Sequence, residues 1–410
     1  MNETPPPPPY AGRGPSRRAV LGALTAVSAA ATVPLLSASP AAAAPGPCED
    51  LLYIGTWNQN QVHAVRFDPE SGTMTPLGAV AQTSSSWVTV HPHRPVLYVG
   101  GAEQGGFVRS FGIDDTTGAL LQTGQIETEP VPTGSGGLSY IAPTADGGAL
   151  LVADFAAGAA ATVSLTADGA LGEVVSSVQD TGSGPNPRQA APHPHHVVVD
   201  PSRGFALVAD FGADRVFVYD YDAPTHRLST GADGPGSFAT TPGSGPRRLV
   251  FHPDGHTVYL LSELTADLRA LDWDAHTGTL TERQLLMTNA PEHTGSTSAA
   301  ELAVSRDGRY VYVSNRGDNA LVVFSAVRPT GLLTEIQRVP CGGVTPWSMT
   351  LHASGRWLFV ANETSSTVNL FGVDPASGGL TDTGMSVAVP NPDSIAVRHC
   401  HPVAREIAGR

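Results

Sequence analysis

The sequence predicts an all-β fold made of seven similar units, a seven-bladed β-propeller. One β-rich run that ends in small or polar residues occurs seven times, and its copies begin 45 to 56 residues apart. Turn sequences such as HPDG, SRDG and HASG separate the strand-type runs, and helical periodicity is almost absent. Repeats of about 50 residues with several short strands are typical of propellers, whereas solenoid repeats are shorter. Unrelated β-sandwich domains would not keep one internal order from repeat to repeat.

Each repeat contains runs for four antiparallel strands. A first run precedes a short turn, and a second run follows that turn. Runs of the type VFVYDYD and signals such as HTGTL then lead to a third and a fourth strand. The seven second runs are LLYIGT (51–56), VLYVGG (96–101), LLVADF (150–155), ALVADF (206–211), VYLLSE (258–263), VYVSNR (311–316) and LFVANE (358–363).

The two ends of the chain are predicted to share one blade. The first repeat begins with a second-position strand, residues 51–56, and the last ends with a spare first-position strand, residues 393–399. Pairing of these strands closes the ring and hides edges that would otherwise be exposed. Antiparallel neighbours begin and end at the same edge, so we expect a Cys48–Cys400 disulfide, with Cys341 left as a buried thiol.

The first 44 residues resemble an export signal, and the propeller is predicted to occupy residues 45–410. Arg17 and Arg18 follow a polar leader and precede a mildly apolar run with an Ala-x-Ala site, an order typical of twin-arginine signals. A membrane anchor is the alternative, because the run is just long enough to span a bilayer. Pro34 and the small-residue site favour cleavage instead. We therefore expect a secreted, extracytoplasmic protein with no membrane segment after cleavage.

Composition excludes several partners and chemistries. The formal net charge is −14, and removal of residues 1–44, with Glu3 and three arginines, lowers it to −16. Such an acidic protein disfavours nucleic acid and anionic membranes as partners. All 23 basic residues are Arg, so lysine nucleophiles and Schiff bases are excluded. No Gly-x-Ser-x-Gly sequence occurs. We expect a monomer without a bound cofactor.

Polar residues concentrate at the predicted mouth, the face of the ring where first strands begin and second strands end. Side chains at these two places converge from all seven blades. Glu263 and Arg316 each interrupt an apolar run there, and such charges must be paired or functional. The candidates at first-strand beginnings are His193, His195, His196, Arg247, Arg248 and Glu301, and those at second-strand ends are Asp154, Asp210, Glu263, Asn315, Arg316, Asn362 and Glu363.

Other readings of these residues remain open at this point. His193 and His195 are two apart on one strand and could bind a metal, but no carboxylate accompanies them at a fixed spacing. The four carboxylates Asp154, Asp210, Glu263 and Glu301 could instead surround a calcium ion. Asp210 could instead cap the turn that follows it. We predict no bound metal.

Six segments make the chain similar to the lactonase family of seven-bladed propellers. This family includes a bacterial type of 6-phosphogluconolactonase and the fungal cyclase that closes carboxy-muconate to a lactone. The resemblance covers nearly all of the predicted propeller. The segments are PHPHHVVVDP, ADFGADRVFVYDYD, GSGPRRLVFHPDG, LLSELTADLRALDWD, AELAVSRDGRYVYVSNRG and LFVANETSSTVNLFGVD.

The resemblance implies a site of one histidine, two arginines and one glutamate at the mouth. The matching positions are His195, Arg247, Glu263 and Arg316. One departure is Trp347, which follows Pro346 where the family often has an arginine. An apolar ring thus replaces a cation that could grip a phosphate, which argues against a phosphorylated substrate, as does export.

We therefore expect hydrolysis of a small anionic sugar-acid lactone, or the reverse ring closure. Arg247 and Arg316 would bind the anion and stabilise the oxyanion, and Glu263 or His195 would act as general base on a water molecule. Further substrate contacts are expected from Asp210, Glu301, Asn315 and Asn362.

The competing hypothesis is a secreted, non-catalytic propeller that binds a ligand or a protein at the same face. Propellers are common interaction platforms, and a fold does not determine a function. Trp87 and Trp347, both at first-strand beginnings, favour this alternative.

Overall fold

The computed structural model describes residues 48–103, 105–128, 137–231 and 234–400. These residues form 29 strands in seven antiparallel sheets, together with one short 3-10 helix, Pro187–Gln189. The innermost strands of neighbouring sheets contact one another all the way around a closed ring. The predicted seven-bladed β-propeller is confirmed.

The blades are numbered in their order around the ring, and the strands in chain order from the innermost outward. Blade 1 is β29 (Pro392–Arg398), β1 (Asp50–Thr56), β2 (Gln61–Asp68) and β3 (Thr73–Gln82). Blade 2 is β4 (Trp87–Val90), β5 (Val96–Gly100), β6 (Phe107–Ile113) and β7 (Leu120–Glu127). Blade 3 is β8 (Leu138–Pro143), β9 (Ala149–Asp154), β10 (Ala159–Leu165) and β11 (Leu171–Gln179). Blade 4 is β12 (Pro194–Val199), β13 (Phe205–Asp210) and β14 (Arg215–Asp222), with β15 (Arg227–Ser229) and β16 (Gly236–Ala239).

The remaining three blades have four strands each. Blade 5 is β17 (Pro246–Phe251), β18 (Thr257–Ser262), β19 (Asp267–Asp274) and β20 (Thr279–Met287). Blade 6 is β21 (Ala299–Val304), β22 (Tyr310–Asn315), β23 (Ala320–Val327) and β24 (Leu332–Pro340). Blade 7 is β25 (Pro346–Leu351), β26 (Trp357–Asn362), β27 (Thr367–Val373) and β28 (Leu380–Ala388).

The second strand of a blade is apolar throughout because neighbouring blades cover both of its faces. All seven residues of β1 and all six of β18 are buried. The outermost strand β20 instead alternates between exposed and half-buried residues over much of its length, since only one of its faces packs against the ring. This difference explains why continuous apolar runs predicted the second strands.

Tyrosines on three second strands fasten adjacent blades together. The hydroxyl of Tyr53 donates to the carbonyl of Gly118 at 3.1 Å, and that of Tyr98 donates to Gly169 at 2.6 Å. In the same way Tyr259 donates to the carbonyl of Gly331 at 2.8 Å. Each tyrosine is fully buried, so this bond satisfies a hydroxyl that would otherwise destabilise the interface between blades.

The ring closes as predicted, by pairing of the two chain ends. Strand β29 lies antiparallel to β1, with Leu51 opposite Arg398. Just beyond this pair, Cys48 and Cys400 form a disulfide with their Cα atoms 5.7 Å apart. Cys341 is a free, buried thiol. The predicted pairing of cysteines is therefore present in the structure.

The predicted export signal lies outside the described residues, so its cleavage stays a prediction. In the part of the chain that the structure describes, no helix has the length and apolar character needed to cross a membrane.

Candidate active site

A β-bulge at the beginning of the innermost strand brings side chains to the mouth. In blade 4 the register passes from Pro194 opposite Asp210 to His196 opposite Ala209, which leaves His195 without a partner residue. A bulge of this kind redirects the side chain of the extra residue and is common beside active sites. The residues skipped in this way in five blades are Ser139, His195, Arg247, Trp347 and Asp393.

Four of these five bulge residues line one central cavity of about 380 Å³, a size within the usual range of small-molecule sites. The cavity wall combines guanidinium groups with aromatic rings and contains one carboxylate and one imidazole. Its residues are Trp57, Ser86, Trp87, Gly137, Leu138, Ser139, Phe155, Arg188, His195, Arg247, Arg248, Glu263, Arg316 and Trp347.

Glu263 lies at the centre of the charged part of the cavity, with a side chain only 5% exposed. Its Oε2 is 3.2 Å from Arg247 Nε and 3.0 Å from Arg316 Nη2, and its Oε1 is 2.8 Å from Arg188 Nη1. Burial alone would raise the pKa of this carboxyl. Arg316, Arg247 and Arg188 together outweigh that effect and hold the pKa at about 2. Glu263 is therefore ionised at any pH near neutrality.

His195 is a neutral imidazole beside this cluster. Its Nε2 lies 3.2 Å from Arg247 Nη1, and because a guanidinium can only donate, Nε2 accepts this bond. The proton of the neutral ring is then on Nδ1, which has no hydrogen-bond partner among the described residues. Burial, followed by the charges of Arg247 and Arg248, holds the pKa of His195 well below its ordinary value of 6.5.

Aromatic rings form the remaining walls and support the arginines. Trp57 and Trp347 stack with their ring centroids 5.8 Å apart, and the Arg316 guanidinium lies 4.7 Å from the Trp347 ring. On the other side, the Arg248 guanidinium lies 4.1 Å from the Trp87 ring. Such cation–π contacts stabilise arginines that are removed from water.

Glu301 contributes to the site through Arg248. Its carboxylate is 2.9 Å from Arg248 Nε, and the residue is buried behind the cavity wall. With this pair included, four arginines face two glutamates while the histidines are neutral. Two positive charges therefore remain in excess, in a protein whose overall charge is strongly negative. This local excess favours an anionic ligand.

The structure places three of the predicted substrate-binding residues elsewhere. Asp210 Oδ1 accepts hydrogen bonds from the amides of His193 at 2.9 Å and Ala213 at 2.7 Å. Asn315 Oδ1 accepts from the Asp318 amide at 3.0 Å, three residues along, as Asp210 does with Ala213. These contacts hold the turn after each second strand, so neither residue lines the cavity.

Asn362, the third of these residues, donates from Nδ2 to the carbonyl of Cys341 at 3.0 Å and is likewise absent from the cavity wall. The predicted contacts of Asp210, Asn315 and Asn362 with substrate have no support in this geometry.

The residues that hold turns and the residues that line the cavity differ by one position in the repeat. Asp210, Asn315 and Asn362 are the last residues of their strands, and their side chains are buried. The residue that directly follows the strand lines the cavity in four blades, and these residues are Trp57, Phe155, Glu263 and Arg316. Both positions carry polar residues in the sequence, so the predicted substrate-binding residues included some that hold turns.

Seven cavity residues were not predicted, and these are Trp57, Ser86, Gly137, Leu138, Ser139, Phe155 and Arg188. Trp57 and Phe155 could have been identified from their position directly after a second strand. Arg188 carries no such signal, because it comes from the loop between blades 3 and 4, on the 3-10 helix Pro187–Gln189.

The metal sites considered from sequence are not assembled in the described part of the chain. His193 Nδ1 bonds the carbonyl of Phe155 at 2.7 Å, and His195 Nε2 faces Arg247, so the two histidines do not share a ligand position. Two of the four carboxylates considered for calcium, Glu263 and Glu301, are each paired with arginine. These contacts fit a site that works through its arginines.

Asp50, His352 and His399 form a cluster at the far end of the blades, beside the disulfide. Asp50 Oδ2 is 2.7 Å from His352 Nε2 and 2.9 Å from His399 Nδ1. His352 Nδ1 accepts from the Ser354 amide at 3.2 Å, which places the ring proton on Nε2, toward Asp50. These hydrogen bonds stabilise the ring closure, because Asp50 belongs to β1 and His399 directly follows β29.

Comparison with known proteins agrees with this architecture. Residues 51–397 match the family described as Lactonase, 7-bladed beta-propeller. The chain belongs to this lactonase family. It is 27% identical over 358 residues to the 6-phosphogluconolactonase of Bacillus subtilis, covering 86% of this chain and 98% of that protein.

Solved structures of similar proteins share this architecture. The periplasmic gluconolactonase of Pseudomonas aeruginosa matches with a TM-score of 0.78 and 29% identity, over 86% of this chain and 100% of that one. A protein from Lactobacillus plantarum matches with a TM-score of 0.76 and 28% identity, over 85% and 99% of the two chains. The lactonase resemblance stated from sequence is thus confirmed, and the fold of the whole described ring is shared.

Proposed function

We propose that this lactonase-family protein hydrolyses a small anionic sugar-acid lactone, or forms one in the reverse direction. The observation that carries the proposal is the buried cluster of Glu263, Arg247 and Arg316 beside the neutral His195, within a cavity that has an excess of two positive charges. Membership of the lactonase family supports the same chemistry.

The arginines would bind the lactone and stabilise the charge that develops on it. Arg247 and Arg316 present guanidinium groups to the cavity, and the carbonyl oxygen of the lactone is expected to lie against them. When water attacks the carbonyl carbon, this oxygen becomes an oxyanion. Donors held in place before the reaction stabilise it more than water can.

Glu263 or His195 would accept the proton from the attacking water. Neighbouring arginines hold the pKa of Glu263 low, and burial followed by the charges of Arg247 and Arg248 lowers the pKa of His195. A bound anion offsets the arginine charges and makes both groups more basic. As the tetrahedral intermediate collapses, the bond from carbonyl carbon to ring oxygen breaks. The protonated base returns its proton to that ring oxygen, and the new carboxylic acid loses a proton to solvent.

The aromatic part of the cavity wall favours one kind of charged group on the substrate over another. Trp57 and Trp347 form a stacked apolar surface, and Trp347 stands where the lactonase family often has an arginine that could grip a phosphate. We propose a substrate that carries a single carboxylate-type charge rather than a phosphate. The name of the periplasmic gluconolactonase relative supports action on a lactone outside the cytoplasm, in line with the export signal predicted for residues 1–44.

The test is a panel of five- and six-membered sugar-acid lactones, phosphorylated and unphosphorylated, assayed by base consumption at constant pH. We expect a rate above spontaneous hydrolysis for at least one anionic lactone, unchanged by a chelator and lost in Arg316→Ala. A panel in which no lactone is hydrolysed faster than in buffer contradicts the proposal.

The aromatic surface also favours the alternative of a binding platform, since Trp57, Trp87 and Trp347 all line the cavity. Saturable binding of a panel member, without hydrolysis in either direction, would support that second function.

A further inference from the structure

Arg188 differs from the other arginines of the cavity in its exposure and in its origin. Its side chain is 57% exposed, whereas those of Arg247 and Arg316 are 2% and 9% exposed. It does not come from a strand of the ring but from the loop between blades 3 and 4. Its guanidinium lies 4.7 Å from the Phe211 ring, and Arg188 is the most exposed of the arginines that pair with Glu263 at the cavity wall.

The loop beneath Arg188 is firmly anchored. The neighbouring Gln189 is fully buried and donates from Nε2 to the carbonyl of Phe211 and to Asp214 Oδ1, both at 2.7 Å. The Arg188 amide donates to Asn186 Oδ1 at 3.0 Å. The backbone is thus held in place, and the long side chain of Arg188 is the part that can change its position.

The two oxygens of Glu263 are held differently. Oε2 is bound by the buried Arg247 and Arg316, while Oε1 has its only arginine partner among the described residues in Arg188. The guanidinium of Arg188 is largely exposed, so water can solvate it when it leaves Glu263, and the buried carboxylate then still keeps Arg247 and Arg316 as partners. The pair between Arg188 and Oε1 is therefore the one contact of this cluster that an incoming anion can readily replace.

We propose that Arg188 is a specificity-determining latch, which holds Glu263 Oε1 in the free protein and transfers its guanidinium to the anionic group of an incoming lactone. The proposal rests on the proposed function. Transfer does two things at once: it binds the charged group of the substrate and leaves Oε1 free to accept a proton. A neutral lactone offers no anion to draw Arg188 away, so it meets a carboxylate that is still covered.

The experiment compares a neutral aldonolactone with the matching lactone that carries a terminal carboxylate. We expect the wild type to prefer the anionic lactone in kcat/KM. Arg188→Gln should lower that preference about tenfold or more, mainly by raising KM for the anionic lactone. Arg188→Lys, which keeps the charge but not the planar fork, should retain part of the preference.

Two further measurements, a pH–rate profile and a calorimetric titration, distinguish a latch from a merely structural role of Arg188. The first is the pH–rate profile. Arg188→Gln removes one of the three positive neighbours of Glu263, which should raise the pKa of Glu263 and so move the acid limb of the profile to higher pH. The matched control is Arg203→Gln, which removes an arginine of similar exposure from its pair with Asp146 and should change neither the preference nor the profile.

Calorimetric titration with the dicarboxylate product tests the latch without any turnover. Wild type and Arg203→Gln should bind it equally, and Arg188→Gln about tenfold or more weakly. Equal binding by Arg188→Gln, no binding by the wild type, or an unchanged preference between the two lactones would overturn the latch. Should the wild type hydrolyse neither lactone, the proposed function fails, while this titration still decides whether Arg188 captures the anion.

Discussion

Replacing Glu263 with glutamine should both destabilise the protein and stop its proposed reaction. Glutamine has nearly the same shape, so the change removes a charge and leaves the packing. Arg247 and Arg316, which are almost fully buried, then lose the carboxylate that both contact. Breaking a buried ion pair by removing one partner typically costs about 3–5 kcal/mol.

The lowered pKa of Glu263 gives a second estimate of how much its charge contributes to the free energy of unfolding. Its fall from the ordinary 4.5 to about 2 corresponds to about 3 kcal/mol of stability. Because the folded-state pKa is lowered, this stability is present above pH 4.5 and is lost as the pH falls toward 2. For a protein of this size, a loss of about 3–5 kcal/mol lowers Tm by roughly 4–7 °C.

Calorimetry between pH 7 and pH 3.5 measures this effect, and lactone hydrolysis at pH 7 measures activity. The matched control is Glu282→Gln, because Glu282 also pairs with a buried arginine, Arg269, but is 43% exposed and leaves Arg269 its second partner Asp267. We expect a loss below about 1 kcal/mol there. An unchanged Tm for Glu263→Gln at pH 7, or a loss that does not shrink toward low pH, would refute the reasoning.

Three further predictions concern the ring and the pH response. Cys48→Ser should remove about 5 kcal/mol of stability by opening a loop of 352 residues, and should leave kcat unchanged, as non-reducing and reducing thermal scans will show. Asp393 is buried without charged partners among the described residues, and burial raises its pKa to about 7. The wild type should therefore lose on the order of 4 kcal/mol of stability relative to Asp393→Asn as the pH rises from about 4 through 7, and about 3 kcal/mol of this difference should appear in urea unfolding of both proteins at pH 5 and pH 8.5. Activity should stay constant from pH 6.5 to 8, because Glu263 and His195 both titrate below that range, and a rate that falls steadily between pH 8 and 7 would contradict this.

The fold could be predicted from sequence because each blade repeats one local pattern. Second strands such as residues 258–262 are covered on both faces and read as unbroken apolar runs. The first repeat begins with a second-position strand and the last repeat ends with a spare first-position strand, which predicted the shared blade. The pairing of Cys48 with Cys400 followed from it. Blade 4 was less predictable, because its outer edge is divided between β15 and β16, which pair with opposite ends of β14.

The site could be predicted only in part, because the position of a residue in its repeat does not determine the direction in which its side chain points. Glu263 and Arg316 were visible as charges that interrupt apolar runs, and the structure puts both on the cavity wall. Asp210 is likewise a charged residue at the end of an apolar run, but it lies one residue earlier in its repeat, where its side chain accepts a hydrogen bond within the turn. Arg188 reaches the cavity from a loop, and no periodicity indicates where a loop will fold.

The most direct test is hydrolysis of an anionic sugar-acid lactone by the wild-type protein, compared with Arg316→Ala and with the surface control Arg203→Gln. We predict base consumption above the spontaneous rate for the wild type and the control. Arg316→Ala should lose about 100-fold or more of kcat, the usual cost of removing one oxyanion donor. Hydrolysis at the spontaneous rate by the wild type, or full activity in Arg316→Ala, would contradict the central claim that the arginine-lined cavity acts on a lactone.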